Sequence, residues 1–136
     1  MTPETAQLIR PLDDVERVFD GSWHATPNNV SRARRALLAS LQAADLPAET
    51  LDAVGAAVTE VTTNTVYHAY VGRRIGQFRI TASVEAGAIK VRVEDDGDGF
   101  DTAAPAPGHG LARAASSASR VETDSGPAGT FTTLWF

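Results

Sequence analysis

Residues 77–95, QFRITASVEAGAIKVRVED, alternate apolar and polar positions with a period of two. Phe78, Ile80, Ala82 and Val84 fall on one side, and Gln77, Arg79, Thr81, Ser83 and Glu85 on the other. After Ala86-Gly87 the alternation resumes, with Ile89, Val91 and Val93 against Lys90, Arg92 and Glu94. Successive side chains of a strand point to opposite faces, so the pattern predicts an antiparallel hairpin with one buried face and one wet face. Ala86-Gly87 is its turn. The alternation carries on to Asp95, which places a carboxylate on the apolar side. A buried carboxylate without a partner is costly, so Asp95 is expected to hold a hydrogen bond. Asp96 falls on the wet side and is expected to be solvated. The strand then breaks into Gly97-Asp98-Gly99. A flexible turn beside an inward acid is consistent with a ligand pocket at the strand end. A plain turn and a weak calcium-like cluster are the other readings, although an EF-hand would need a Glu at its twelfth position.

Upstream, the period is 3.6. Thr26-Pro27 makes a helix start, with the threonine hydroxyl as N-cap and proline at the first helical position. Val30, Ala33, Leu37 and Leu41 keep helical spacing, so a first helix runs to about Ala44. Arg32 and Arg35 lie off that stripe and read as solvated surface, with partner binding as the lesser alternative. Asp45-Leu46-Pro47 breaks the pattern, and a second helix runs from about Pro47 to Ala69. Leu51, Val54, Val58, Val61 and Thr65 mark its mostly apolar face. Glu60, Asn64 and His68 recur every four residues and form an adjoining polar stripe. That stripe is either a solvated helix face or a general base beside a metal ligand. Gly55 costs up to about 1 kcal/mol against alanine within a helix, so close packing against a neighbour is expected there. Residues 1–25 read as a lead-in in which Arg17 to Ala25 could form an edge strand. The two helices would cover the apolar face of the hairpin. The expected fold is therefore α+β, a two-layer α/β sandwich with a mainly antiparallel sheet covered on one face by helices.

Downstream, Asp101 to Pro107 (DTAAPAP) is rich in alanine and proline and lacks helical periodicity. Gly108-His109-Gly110-Leu111 opens a helical pattern to about Ala118. A glycine-rich approach to a helix N-terminus can hold phosphate through free N–H groups and the helix dipole. Val121 to Ser125 reads as a strand, Gly126-Pro127-Ala128-Gly129 as a turn, and Thr130 to Phe136 as a terminal strand rich in β-formers. Trp135 and Phe136 are expected in core or edge packing.

Composition narrows the function classes. The chain has 136 residues, 43% of them apolar, as expected of one globular domain. No apolar run approaches the roughly 20 residues of a membrane span. The N-terminal stretch lacks the charged and apolar regions of a signal peptide. There are no cysteines, which excludes disulfides and thiolate metal sites and makes a cytoplasmic location the expectation. The net charge of −5, with no basic cluster beyond Arg32, Arg34 and Arg35, argues against nucleic acid as a partner.

The ordered set of motifs resembles the GHKL (Bergerat-fold) ATPases, the superfamily of gyrase B subunits, MutL, histidine kinases and stand-alone anti-sigma-factor serine kinases. Glu60-x-x-x-Asn64 looks like its N box, with His68-Ala69-Tyr70 as in anti-sigma kinases. Asp95-x-Gly97-x-Gly99 resembles the first glycine box, Gly108-His109-Gly110-Leu111 the second, and Gly129-Thr130 the last. The resemblance covers about Thr26 to Phe136, so residues 26–136 would be one histidine-kinase-like ATPase domain. It implies ATP and Mg²⁺ as cofactors. Asp95 would accept a hydrogen bond from the adenine amino group, and Thr130 would support adenine through a water. Asn64 would hold Mg²⁺ against the triphosphate, and Glu60 would be the general base. Gly97 and Gly99 would make room for the nucleotide. Gly108 and Gly110 would bring backbone amides to the phosphates, with His109 and Leu111 in the same box.

Length favours the anti-sigma branch, with no room for a phospho-accepting histidine domain. Such proteins bind a sigma factor, phosphorylate a serine or threonine on a STAS-type antagonist, and are commonly dimers. The chain departs from the family in three places. Thr65 stands where alanine usually follows the asparagine. His109 stands where many anti-sigma kinases have arginine. The lid, Asp101 to Pro107, carries no Lys or Arg. The alternatives are an ATP-binding module that sequesters a partner without phosphotransfer, a stand-alone relic of a histidine kinase domain, and a scaffold with a degenerate pocket.

Overall fold

A computed structural model describes residues 15–71, 76–85, 88–96, 117–126 and 129–136. The elements, in chain order, are β1 (Val15–His24), α1 (Pro27–Gln42), α2 (Ala48–Val71), β2 (Gln77–Glu85), β3 (Ala88–Asp95), β4 (Arg120–Gly126) and β5 (Gly129–Trp135). The strands form a five-stranded sheet in the order β1-β2-β3-β5-β4, with every neighbouring pair antiparallel. The two helices lie on one face, as the patterning requires. The expected α+β two-layer architecture is the fold observed.

The register explains the core. Ala82, Val91 and Leu134 stand opposite one another across β2, β3 and β5, and Ile80, Val93 and Thr132 form the next row. Opposed residues of an antiparallel pair share a face, so these rows make the inner surface. Their apolar members pack with Leu37 and Leu41 of α1 and Val54, Ala57, Val58 and Val61 of α2 in one hydrophobic cluster. Phe78 is its largest fully buried side chain, and burying such a side chain stabilises by roughly 1.5–3 kcal/mol.

The edge strand read at Arg17 to Ala25 exists as β1 and is slightly longer. Trp23 stacks between Phe19 and Phe78, with ring centroids 6.0 and 5.8 Å away. The register slips between Arg17 and Phe19, a bulge of the kind that edge strands carry. Past the bulge, Asp20 accepts from both Nε (2.9 Å) and Nη2 (2.7 Å) of Arg79 on β2. This two-pronged contact pins the wet side of the edge.

The helix ends bring one correction. Thr26 is the N-cap residue of α1, but its hydroxyl makes no capping bond. The Thr26 main-chain carbonyl accepts the Asn29 N–H at 3.0 Å, and the Asn29 side-chain amide ties the helix start to β1 by donating to the His24 carbonyl at 2.8 Å. Gly55 has the reason expected for it. A Cβ there would lie 3.2 Å from Leu38 Cδ1 of α1, so glycine lets the helices approach. Thr59 and Thr62 return their hydroxyls to the carbonyls of Gly55 and Val58, each at 2.7 Å, so these threonines cost no unsatisfied hydroxyl.

On the outer face the strands carry paired charges. Trp135, expected in core or edge packing, lies there between Lys90 (5.8 Å) and Arg120 (4.7 Å), and Arg92 sits 4.4 Å over Phe131. Phe136 packs partly against the core and extends the ladder by exchanging bonds with Ile89. Of the helix expected from Leu111 to about Ala118, only Ser117 and Ala118 are described, and Ser117 is helical. The turn expected at Ala86-Gly87 lies outside the described residues, as do Pro127 and Ala128 of the turn expected at Gly126-Pro127-Ala128-Gly129, whose end residues Gly126 and Gly129 pair across β4 and β5. Among the described residues, no helix is long and apolar enough to cross a membrane.

Candidate functional site

The central strand β3 ends at Asp95, and three strands meet there. Asp95 stands opposite Phe78 on β2 and Thr130 on β5, so all three side chains belong to the inner face. Phe78 and Thr130 are 1% and 3% exposed. The inward carboxylate read from the alternation is therefore real, and it sits where the apolar floor of the sheet gives out. The Thr130 hydroxyl is its cross-strand neighbour, with Cβ atoms of such pairs about 4.5–5.5 Å apart.

Gly129 makes this juxtaposition possible. Its φ is +132°, a conformation that side chains rarely adopt. A Cβ there would also fall 3.0 Å from the carbonyl carbon of Asp95 and closer still to its oxygen. β5 can thus begin directly against the Asp95 backbone.

On α2, Glu60 and Asn64 are one turn apart, as their spacing requires. They differ in environment. Glu60 is half-buried, whereas Asn64 is 4% exposed. The Asn64 Oδ1 is buried and has no hydrogen-bond partner. Leaving an acceptor so costs about 1–3 kcal/mol, an outlay expected where a ligand completes the bonding. Glu60 lines a cavity of about 750 Å³ with Arg34, Arg35, Asp52, Gly55 and Ser117. Asn64, Asp95 and Thr130 are not among its described lining residues. The described residues thus bring Asp95 and Thr130 together, and separately Glu60 and Asn64. The side chain of His68, and all of Gly97, Gly99, Gly108, His109, Gly110 and Leu111, lie outside the described residues.

Asp96 differs from its sequence reading. It is exposed, but its carboxylate is not simply solvated. Oδ1 accepts from the Gln77 N–H at 2.9 Å. Gly76, which carries no side chain to obstruct that oxygen, is the only trace of this contact in the sequence.

The model of the histidine kinase-like ATPase domain matches residues 23–136. Among curated relatives, blue-light-activated histidine kinase 2 of Erythrobacter litoralis is 40% identical over 70 residues, 49% of this chain and 20% of that protein. The serine-protein kinase RsbW of Listeria innocua is 32% identical over 77 residues, 57% of this chain and 49% of that protein. The chain thus spans between a fifth and a half of the length of these relatives. The crystal structure of the RsbU and RsbW domains of a Mycobacterium tuberculosis protein superposes with a TM-score of 0.68 at 23% identity, over 86% of this chain and 32% of that one. The match begins at Trp23, where β1 packs onto Phe78, and runs through α2, the Asp95 strand end and Gly129-Thr130. By that span, the chain belongs to the histidine kinase-like ATPase domain family.

Proposed function

We propose that the chain is an ATP-binding anti-sigma factor with serine/threonine protein kinase activity towards a STAS-type antagonist. The reading rests above all on the inward carboxylate of Asp95, set beside Thr130 at the end of the central strand of this family's fold. Its likeness to the serine-protein kinase RsbW supports the kinase branch.

In this reading Asp95 accepts a hydrogen bond from the adenine amino group, and Thr130 supports the same ring edge. Asn64, whose buried oxygen has no partner, would hold Mg²⁺, and the ion would supply neutralisation of the phosphate charge. By the family resemblance, Gly97 and Gly99 would leave room for the nucleotide, and Gly108 and Gly110 would offer amides to the phosphates. Glu60, at the wall of its cavity, takes the proton of the acceptor hydroxyl. The hydroxyl oxygen forms a bond to the γ-phosphorus. The bond from that phosphorus to the β–γ bridging oxygen breaks, and its electron pair leaves on ADP. The new phosphate adds about −1.5 to −2 charge to the antagonist and changes which partner is held, sigma factor or antagonist. A cytoplasmic homodimer is the assembly that this branch implies.

One observation favours a second reading, binding without phosphotransfer. The lid sequence Asp101 to Pro107 has no Lys or Arg, and His109 stands where many anti-sigma kinases have arginine. Two experiments separate the readings. In a calorimetric titration, wild type should bind ATP more tightly with Mg²⁺, and Asp95→Asn should lose binding. With labelled ATP, label should pass to serine or threonine of a STAS-type protein and stop in Glu60→Ala. Binding without transfer to any bound candidate supports the second reading, and no binding by wild type removes both.

A further inference from the structure

The end of β3 is closed by a side chain. Gln77 and Asp96 are the pair beyond Phe78 and Asp95 in the β2–β3 ladder. The Asp96 N–H donates to Gln77 O at 3.3 Å, as an ordinary ladder pair would. The return bond does not use the main chain. The Gln77 N–H donates to Asp96 Oδ1 at 2.9 Å instead. Because hydrogen-bonded and non-hydrogen-bonded pairs alternate, Phe78 and Asp95 are a non-hydrogen-bonded pair. In the main-chain ladder with β2, Asp95 is therefore held through the pairs that flank it.

Gly76 makes room for this closure. A Cβ there would meet Asp96 Oδ1 inside 3.0 Å and Cγ at 3.4 Å. Its carbonyl also accepts the Ala25 N–H at 2.9 Å, which ties in the end of β1. A single carboxylate thus holds the Gly76-Gln77 start of β2, to which the end of β1 is also bonded, one residue past the inward Asp95.

We infer that Asp96 is a positioning residue for the base-binding carboxylate of Asp95, its side-chain oxygen closing the β2–β3 ladder in the space that Gly76 leaves. This rests on the proposed role of Asp95. The contact needs an oxygen acceptor and not a negative charge, so asparagine can replace Asp96 and alanine cannot.

The test is calorimetric titration of wild type, Asp96→Ala, Asp96→Asn and Gly76→Ala with Mg-ATP and Mg-GTP, at a temperature where circular dichroism shows each folded. Asp96→Ala is expected to bind ATP about tenfold more weakly, the scale of one hydrogen bond. Its preference for ATP over GTP should fall with it, because a displaced Asp95 no longer discriminates the base. Asp96→Asn should stay within about twofold of wild type. Gly76→Ala keeps Asp96 but displaces its carboxylate, and should repeat the loss even where Asp96→Ala does not fold. A merely structural role would lower the melting temperature and leave the ATP/GTP ratio unchanged. That result, or an asparagine variant as weak as alanine, or a Gly76→Ala protein that binds like wild type, overturns the inference while the reading of the site stands. Wild type that binds no ATP overturns the reading of the site, and the inference with it.

Discussion

Gly129 lies against the backbone of Asp95 so closely that a Cβ would fall within 3.0 Å of the Asp95 carbonyl oxygen. Its φ of +132° adds a second penalty for any side chain. Gly129→Ala should therefore be destabilised by about 1–3 kcal/mol, the cost of a strained backbone conformation, and more if the ladder opens. Opening would separate Asp95 from Thr130. Urea unfolding should show the loss, and ATP titration of the folded variant should show weaker binding than wild type.

Phe78 supports the same strand end from the other side. It is 1% exposed, opposes Asp95 and stacks on Trp23. Truncation removes a full aromatic volume from a close-packed core. Phe78→Ala should lose about 3–5 kcal/mol, read from the midpoint of denaturant unfolding at unchanged slope.

Asn64 makes the opposite prediction. Its buried oxygen has no hydrogen-bond partner, so the nucleotide-free protein gains little from it. Asn64→Leu, similar in volume and apolar, should melt at the same temperature as wild type or higher. The same variant should lose the Mg²⁺-dependent part of ATP affinity. Stability retained with function lost is the pattern of a residue kept for a ligand.

Asp20 gives a pH dependence with a definite sign. The side-chain hydrogen bond from Arg79 holds its carboxyl below the usual aspartate range, with the charges of Arg79 and Arg17 acting in the same direction. A group whose pKa is lower in the folded state binds fewer protons there than when unfolded. Its contribution is thus complete above the ordinary aspartate pKa of about 3.9 and is lost as pH falls through and below that value. Asp20→Asn should unfold at lower urea than wild type at neutral pH. The gap should close on acidification. Because both partners are exposed, the gap will be small and should shrink in salt.

The alternation in 77–95 was enough to set the faces of the hairpin and to turn Asp95 inward, because a strand repeats every two residues and only one register buries Phe78, Ile80, Val91 and Val93 together. The helical spacing of Ala33, Leu37 and Leu41 was equally legible, since one face must be apolar to be buried. So were Glu60 and Asn64 as neighbours one turn apart.

Local pattern could not carry three other features. It did not show that Thr130 would stand across from Asp95, because that pairing joins residues far apart in the chain and depends on β5 entering the sheet beside β3. It did not show that the Asn64 oxygen would be left without a partner, because burial depends on what packs over the helix. It misread Asp96, because polarity alone cannot tell a solvated carboxylate from one that replaces a main-chain acceptor of a distant strand. The sequence determined the elements and which face of each is apolar, through periodicities set by the local backbone. The tertiary structure decided which polar atoms meet, since a hydrogen bond depends on positions that only the assembled sheet brings within 3 Å.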